Sequence, residues 1–114
     1  MPRISTHVLD IARGLPAKDV PVRLEREDTP GHWRLLASLR TDQDGRCVQL
    51  LPEGEPLSAG TYRLCFDTAA YFGAAEIEGL YPLVEIAFLV RDKEHTFHIP
   101  LLLSPNGYST YRGS

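Results

Sequence analysis

His7, Arg46, His98 and the closing run Tyr111-Arg112-Gly113-Ser114 are the positions whose side chains could do chemistry. Imidazole, with a reference pKa of about 6.5, can take or give a proton near neutrality. Arginine stays charged and presents several donors, which suits holding a carbonyl or stabilising an oxyanion. The closing run places an aromatic ring, a guanidinium, a flexible joint and an α-carboxylate within four residues. Taken one at a time, each feature also has an ordinary reading. A histidine on a strand is usually structural or simply exposed. Arg46, after the tight turn Asp44-Gly45, reads as a solvated loop residue, and the closing run reads as a strand end. His32 and His95 flank turns and carry no further signal. Asp10 reads as structural, bonding loop amides near Gly14.

The elements that must position these groups are mostly strands. Arg3 to Ile11 alternates, with Ile4, Thr6 and Val8 on one face and Ser5, His7, Leu9 and Ile11 on the other. Arg13 to Ala17 reads as a loop. Val20, Val22 and Leu24 alternate with polar neighbours as a half-buried strand. The turn Asp28-Thr29-Pro30-Gly31 leads into a return strand, Trp33 to Arg40, with Trp33, Leu35, Ala37 and Leu39 expected to face inward. A short strand is expected over Cys47–Leu51. Another is expected over Gly60–Asp67, with Tyr62, Leu64 and Phe66 facing in. Thr68 or Asp67 can cap a helix of about two turns, weakened by Gly73. Leu83 to Asp92 is a strand with Val84, Ile86, Phe88 and Val90 in one stripe. A charged turn, Arg91 to Glu94, leads to His95–Ile99, where Pro100 lacks a ladder donor and predicts an edge position or pairing there on one side only. Ser104-Pro105-Asn106-Gly107 is the strongest turn signal, followed by a last strand from Tyr108 to Arg112. This pattern predicts an all-β fold, an antiparallel β-sandwich with one short helix.

The totals set bounds on function. A chain of 114 residues predicts a single domain over 1–114. Hydrophobic content of 43% and charged content of 24% are those of an ordinary globular protein. A formal charge of −3 gives no electrostatic footprint for nucleic acid or an anionic membrane. No run reaches the length of a membrane span, and the start lacks an apolar signal core. The close is Arg-Gly-Ser, unlike the simplest peroxisomal address. Cys47 and Cys65 fit no metal-ligand spacing and read as reduced thiols, which predicts a cytoplasmic protein.

The run HIPLLLSPNGYSTYRGS closely resembles the C-terminal signature of the 5-hydroxyisourate hydrolases, the transthyretin-like enzymes of urate breakdown. STHVLDIARGLPA resembles the N-terminal signature of that family, TDQDGR its middle one, and YPLVEIAF the strand before its last hairpin. The resemblance spans essentially the whole chain. It implies the transthyretin fold: two four-stranded sheets, with the helix after the fifth strand. It also implies an active site at His7, Arg46 and His98 together with the Tyr111–Ser114 tail. The tail and the histidine–arginine set are what separate the hydrolases from transthyretin itself, the hormone carrier.

The implied reaction adds water to an acyl carbon of 5-hydroxyisourate and cleaves a C–N bond. That requires a base, an oxyanion partner and a proton for the leaving nitrogen. His7, Arg46, His98 and Ser114 are the candidate catalytic residues. His7, Arg46, Tyr111 and Arg112 are the candidate substrate-binding residues. Arg112 or the Ser114 carboxylate could orient a histidine. The scheme requires no cofactor and no metal. The expected partners are a purine-derived small molecule and three further copies of the chain, because the outer face of one sandwich offers little concavity and the family places its sites between subunits. Leu101, Leu103 and Tyr108 are candidates for that interface. Two alternatives remain: a transthyretin-like carrier of small aromatic ligands, and a structural sandwich module without a ligand.

Overall fold

The computed structural model describes residues 1–114. Strand β1 (Arg3–Asp10) is the hub of the first sheet. It pairs with the two-residue strands β2 (Leu15–Pro16) and β5 (Arg46–Cys47), and with β8 (Thr96–His98) and β9 (Leu101–Ser104). Strand β10 (Gly107–Thr110) closes that sheet on β9 through the Ser104–Gly107 turn. The second sheet runs in the order β4 (His32–Arg40), β3 (Pro21–Thr29), β6 (Gly60–Phe66) and β7 (Val84–Val90). Helix α1 (Thr68–Ala74) follows β6, with the Asp67 carboxylate accepting from the Ala70 amide at 3.0 Å as its cap.

Alternation explains the core. Ile4 and Val8 of β1, Val22 and Leu24 of β3, and Tyr62, Leu64 and Phe66 of β6 are all fully buried. Each such side chain removed from water stabilises the fold by roughly 1.5–3 kcal/mol. The buried phenol of Tyr62 is satisfied by the backbone of Ser58, which it meets at 3.2 Å as donor and as acceptor. Leu101 and Leu103 also belong to this core, at 0% and 1% exposure, and so are not interface residues. Tyr108 is exposed, with its ring edge-on to Tyr81. Both cysteines are free and buried, and burial pushes their thiols up to about 11 for Cys47 and about 12 for Cys65.

Several expectations were revised or narrowed. First, β8 and β9 run parallel to β1, so the first sheet is mixed. The chain reaches β8 from β7, a strand of the other sheet, and only strands joined directly by a hairpin must be antiparallel. Second, β8 has β1 as its one strand partner, so one-sided pairing is what occurs of the two outcomes expected from Pro100. Pro100 lies in the break between β8 and β9, where no ladder donor is required, and its carbonyl accepts from Thr110 Oγ1 at 2.7 Å. Counting β8 and β9 separately, together with the two-residue strands, gives six strands in this sheet rather than four. The expected strand over Cys47–Leu51 shrinks to the short β5, although Leu50 and Leu51 remain buried.

Third, a bulge reverses part of β4. Ala37 lies opposite Leu24, but the next pair is Leu35 opposite Glu25, which leaves Leu36 as the extra residue. Leu36 and Ala37 pack against the core, whereas Leu35 is 54% exposed. Trp33 follows the reversed parity, and its ring carries the Arg63 guanidinium at 4.1 Å. Leu39 stays opposite Val22 yet is 43% exposed on this edge strand. The bulge is tested by a pair of substitutions in urea denaturation. Leu36→Ala should cost about 1–3 kcal/mol and Leu35→Ala less than about 0.5 kcal/mol.

Candidate active site

The site is assembled by cross-strand register. His7 of β1 lies opposite Arg46 of β5, and Ser5 of β1 lies opposite His98 of β8. Ser5 and His7 alternate with the buried Ile4, Thr6 and Val8, so they share the outward face of the sheet. Residues directly opposite on paired strands project to the same side, which brings Arg46 and His98 onto that face. The turn before Arg46 is held by the Asp42 carboxylate, which accepts from the amides of Asp44 and Arg46 at 2.9 Å. Gly45 sits there at φ +76°, where a Cβ would collide with the Val8 carbonyl. Only glycine lets this turn lie so close to β1.

Arg46, His98 and Ser114 line one shallow cleft of about 210 Å³, joined by Arg3, Ser5 and Thr96. His7 lies beside it on the same face. Its Nε2 is 2.8 Å from the Asp44 carbonyl, which can only accept, so Nε2 carries a proton and Nδ1 is the free atom of the neutral ring. His98 Nδ1 is 2.9 Å from Ser5 Oγ. Burial, then the nearby Arg46, His7 and Arg3 charges, hold the His98 imidazole below its ordinary pKa of 6.5. The ring is therefore biased towards the neutral form in a cleft whose other charged side chains are cationic.

The closing run divides. Gly113 bridges to His98, its amide donating to the His98 carbonyl at 2.7 Å, and this places Ser114 at the cleft. Tyr111 and Arg112 are not brought there within one chain. They line a separate groove with Ile86, Phe88 and Phe97. Arg112 stacks on Phe97 at 4.6 Å, pairs with Glu94 at 3.0 Å and donates to the Thr96 carbonyl at 3.2 Å. Arg112 thus ties down the tail and orients no histidine; that contact belongs to Ser5. Reading the residues by type passed over Ser5 and Arg3, although both share the strand parity of His7. Asp10 is structural, its carboxylate accepting from the Arg13 amide at 3.0 Å and the Tyr71 hydroxyl at 2.7 Å.

A two-sheet β-sandwich with one short helix is the architecture of the transthyretin-like class. The sequence profile of the HIUase/Transthyretin family matches residues 4–113, and the chain belongs to that family. The 5-hydroxyisourate hydrolase of Mus musculus is 46% identical over 112 residues, covering 97% of this chain and 94% of that protein. The solved 5-hydroxyisourate hydrolase of Klebsiella pneumoniae superposes with a TM-score of 0.86 at 41% identity, covering 100% of both chains. Transthyretin of Sparus aurata superposes with a TM-score of 0.90 at 29% identity, over 99% of this chain and 97% of that one. Backbone shape therefore does not separate the two branches of the family, whereas identity favours the hydrolases.

The electrostatics of the cleft can be tested by following the His98 ring signals by NMR over a pH series. The midpoint should lie below 6.5 and should rise in Arg46→Ala, because a repelling charge has been removed. The stability that accompanies this lowered pKa is full above about 6.5 and is lost as pH falls through the His98 midpoint, since the unfolded chain takes up the proton first.

Proposed function

We propose that this protein hydrolyses 5-hydroxyisourate to 2-oxo-4-hydroxy-4-carboxy-5-ureidoimidazoline in urate catabolism. The reading is carried by one observation: near-full-length identity to 5-hydroxyisourate hydrolases coincides with a cleft that gathers Arg46, His98 and Ser114. His98 is the base that activates water. For its Nε2 to accept a proton, Nδ1 must carry the hydrogen, and Ser5 Oγ is placed to accept it. Arg46 binds the ring carbonyl and holds the oxyanion formed when water adds to the acyl carbon. His7 supports substrate through its free Nδ1. The protonated His98 then returns its proton to the leaving nitrogen as the C–N bond breaks. Ser114 closes the cleft, while Tyr111 and Arg112 hold the tail in place.

The working form is a homotetramer. A half-open cleft of about 210 Å³ leaves a bicyclic substrate largely in water, so a second chain facing it supplies the enclosure. The free edge of β7 and the exposed side chains of Leu89 and Tyr111 are surfaces such a partner would cover. No helix is long and apolar enough to cross a membrane. We place the enzyme in the cytoplasm. The carrier reading rests on the high likeness to transthyretin and makes the opposite forecast, that histidine substitution leaves the protein's business untouched.

Turnover is measured by generating the substrate from urate in situ and following its ultraviolet decay. Addition of the protein should accelerate the decay, and His98→Ala should lower kcat by about 100-fold or more while the protein stays folded. Unaltered decay would remove the hydrolase reading. In the wild type, kcat/KM should be flat near neutrality and fall on acidification only below about 6.5, because His98 resists protonation. A second substitution probes the tail. A Cβ at residue 113 would stand 2.5 Å from His98 Cδ2, so Gly113→Ala should displace the ring and lower kcat at least about tenfold, with little change in Tm. Full activity in that variant would mean that the position of the tail is irrelevant to catalysis.

A further inference from the structure

A cleft of about 580 Å³ shares no residue with the one around His98. It lies between helix α1 and the segment that follows β1. Its apolar lining, which we call its floor, includes Pro16, Ala70, Ala74 and Tyr71. The Tyr71 hydroxyl is committed to Asp10, which is itself 1% exposed and has both carboxylate oxygens bonded. Around this floor stand Arg13, Lys18 and Arg40. None of the three joins any of the ion pairs of the structure. Arg40 reaches only the Asp19 carbonyl, at 3.3 Å. Against these three cations the cleft sets one lining carboxylate, Asp19, which leaves two positive charges; counting the buried Asp10 beneath the floor still leaves one. This occurs in a chain whose formal charge is −3.

An apolar floor with a few charged groups at its rim is the composition of a small-ligand site, and the volume falls within the range of roughly 300–1,000 Å³ such sites occupy. The floor disfavours a purely inorganic anion, which would leave it exposed to water. The rim disfavours a neutral ring, which would leave its net positive charge unanswered. We propose that this cleft binds a small planar organic carboxylate, its ring against Pro16, Ala70 and Tyr71 and its carboxylate between Arg13 and Lys18. A guanidinium matches a carboxylate in a planar two-point contact, and an ammonium adds a movable point charge.

Benzoate is the probe, with benzamide as its neutral isostere and inorganic phosphate as the ring-free anion, each titrated into the full-length protein and followed by amide NMR. Benzoate should give saturable shifts at Leu15, Ala70 and Ala74, with a Kd of about 1 mM or tighter. Benzamide and phosphate should bind at least about fivefold more weakly. Arg13→Gln and Lys18→Gln should each weaken benzoate about threefold or more at unchanged Tm, and Lys18→Arg should restore it. Equal binding of benzamide would reduce the site to an apolar groove. Equal binding of phosphate would reduce it to a cationic patch. Shifts centred on His98 instead, or no saturation with benzoate, would also overturn the proposal.

Discussion

The pairing of β1 on both of its edges is the constraint on which the rest of this structure depends. On one edge it meets the two short strands β2 and β5; on the other it meets β8 and then β9. Its inward residues anchor the core, and its outward residues, Ser5 and His7, are flanked by Arg46 from one neighbour and His98 from the other. The same backbone hydrogen bonds that hold the sheet therefore set the spacing of the polar groups. A one-residue slip of β8 would turn His98 inward and present Phe97 to the cleft. Burial of Phe97 and Ile99 opposes such a slip, so the hydrophobic effect holds the imidazole in place indirectly.

Charge is concentrated with the same economy. Arg3, Arg46 and His7 surround His98 with positive potential, and partial burial removes the water that would otherwise screen it. The result is an imidazole kept neutral with a guanidinium within the same cleft, a combination that can move a proton and receive negative charge in one place. The rest of the polar network is structural. Asp42 shapes the turn before Arg46, and Asp10 ties the loop after β1 to helix α1 through Tyr71.

The comparisons show why the site, rather than the backbone, has to carry the functional argument. A transthyretin and a hydroxyisourate hydrolase superpose on this chain about equally well. A sandwich of this shape is a scaffold on whose outward face different side chains can be set, and fold alone does not select among them. The tail shows how little distinguishes the possibilities: glycine at 113 lets the backbone lie against the His98 ring, and any larger residue would push the two apart.

Much of this was legible in the sequence. Alternation in β1, β3, β6 and β7 marked the strands and their buried faces, because a side-chain period of two is a local property of extended backbone. Asp67 or Thr68 ahead of Ala69 and Ala70 marked the helix for the same kind of reason, and the four turn-formers marked the turn before β10. Motif resemblance pointed to His7, Arg46, His98 and Ser114. What the sequence could not specify was everything that depends on a neighbour distant along the chain. The bulge at Leu36 arises from the fit of β4 to β3, and the parallel course of β8 arises from crossing between sheets. Ser5 gains its partner only when β8 docks, and Arg112 turns away from the cleft because Phe97 and Glu94 are waiting for it. Residue types and local periods are written into the chain, but contacts between residues ninety positions apart exist only once packing has chosen a register.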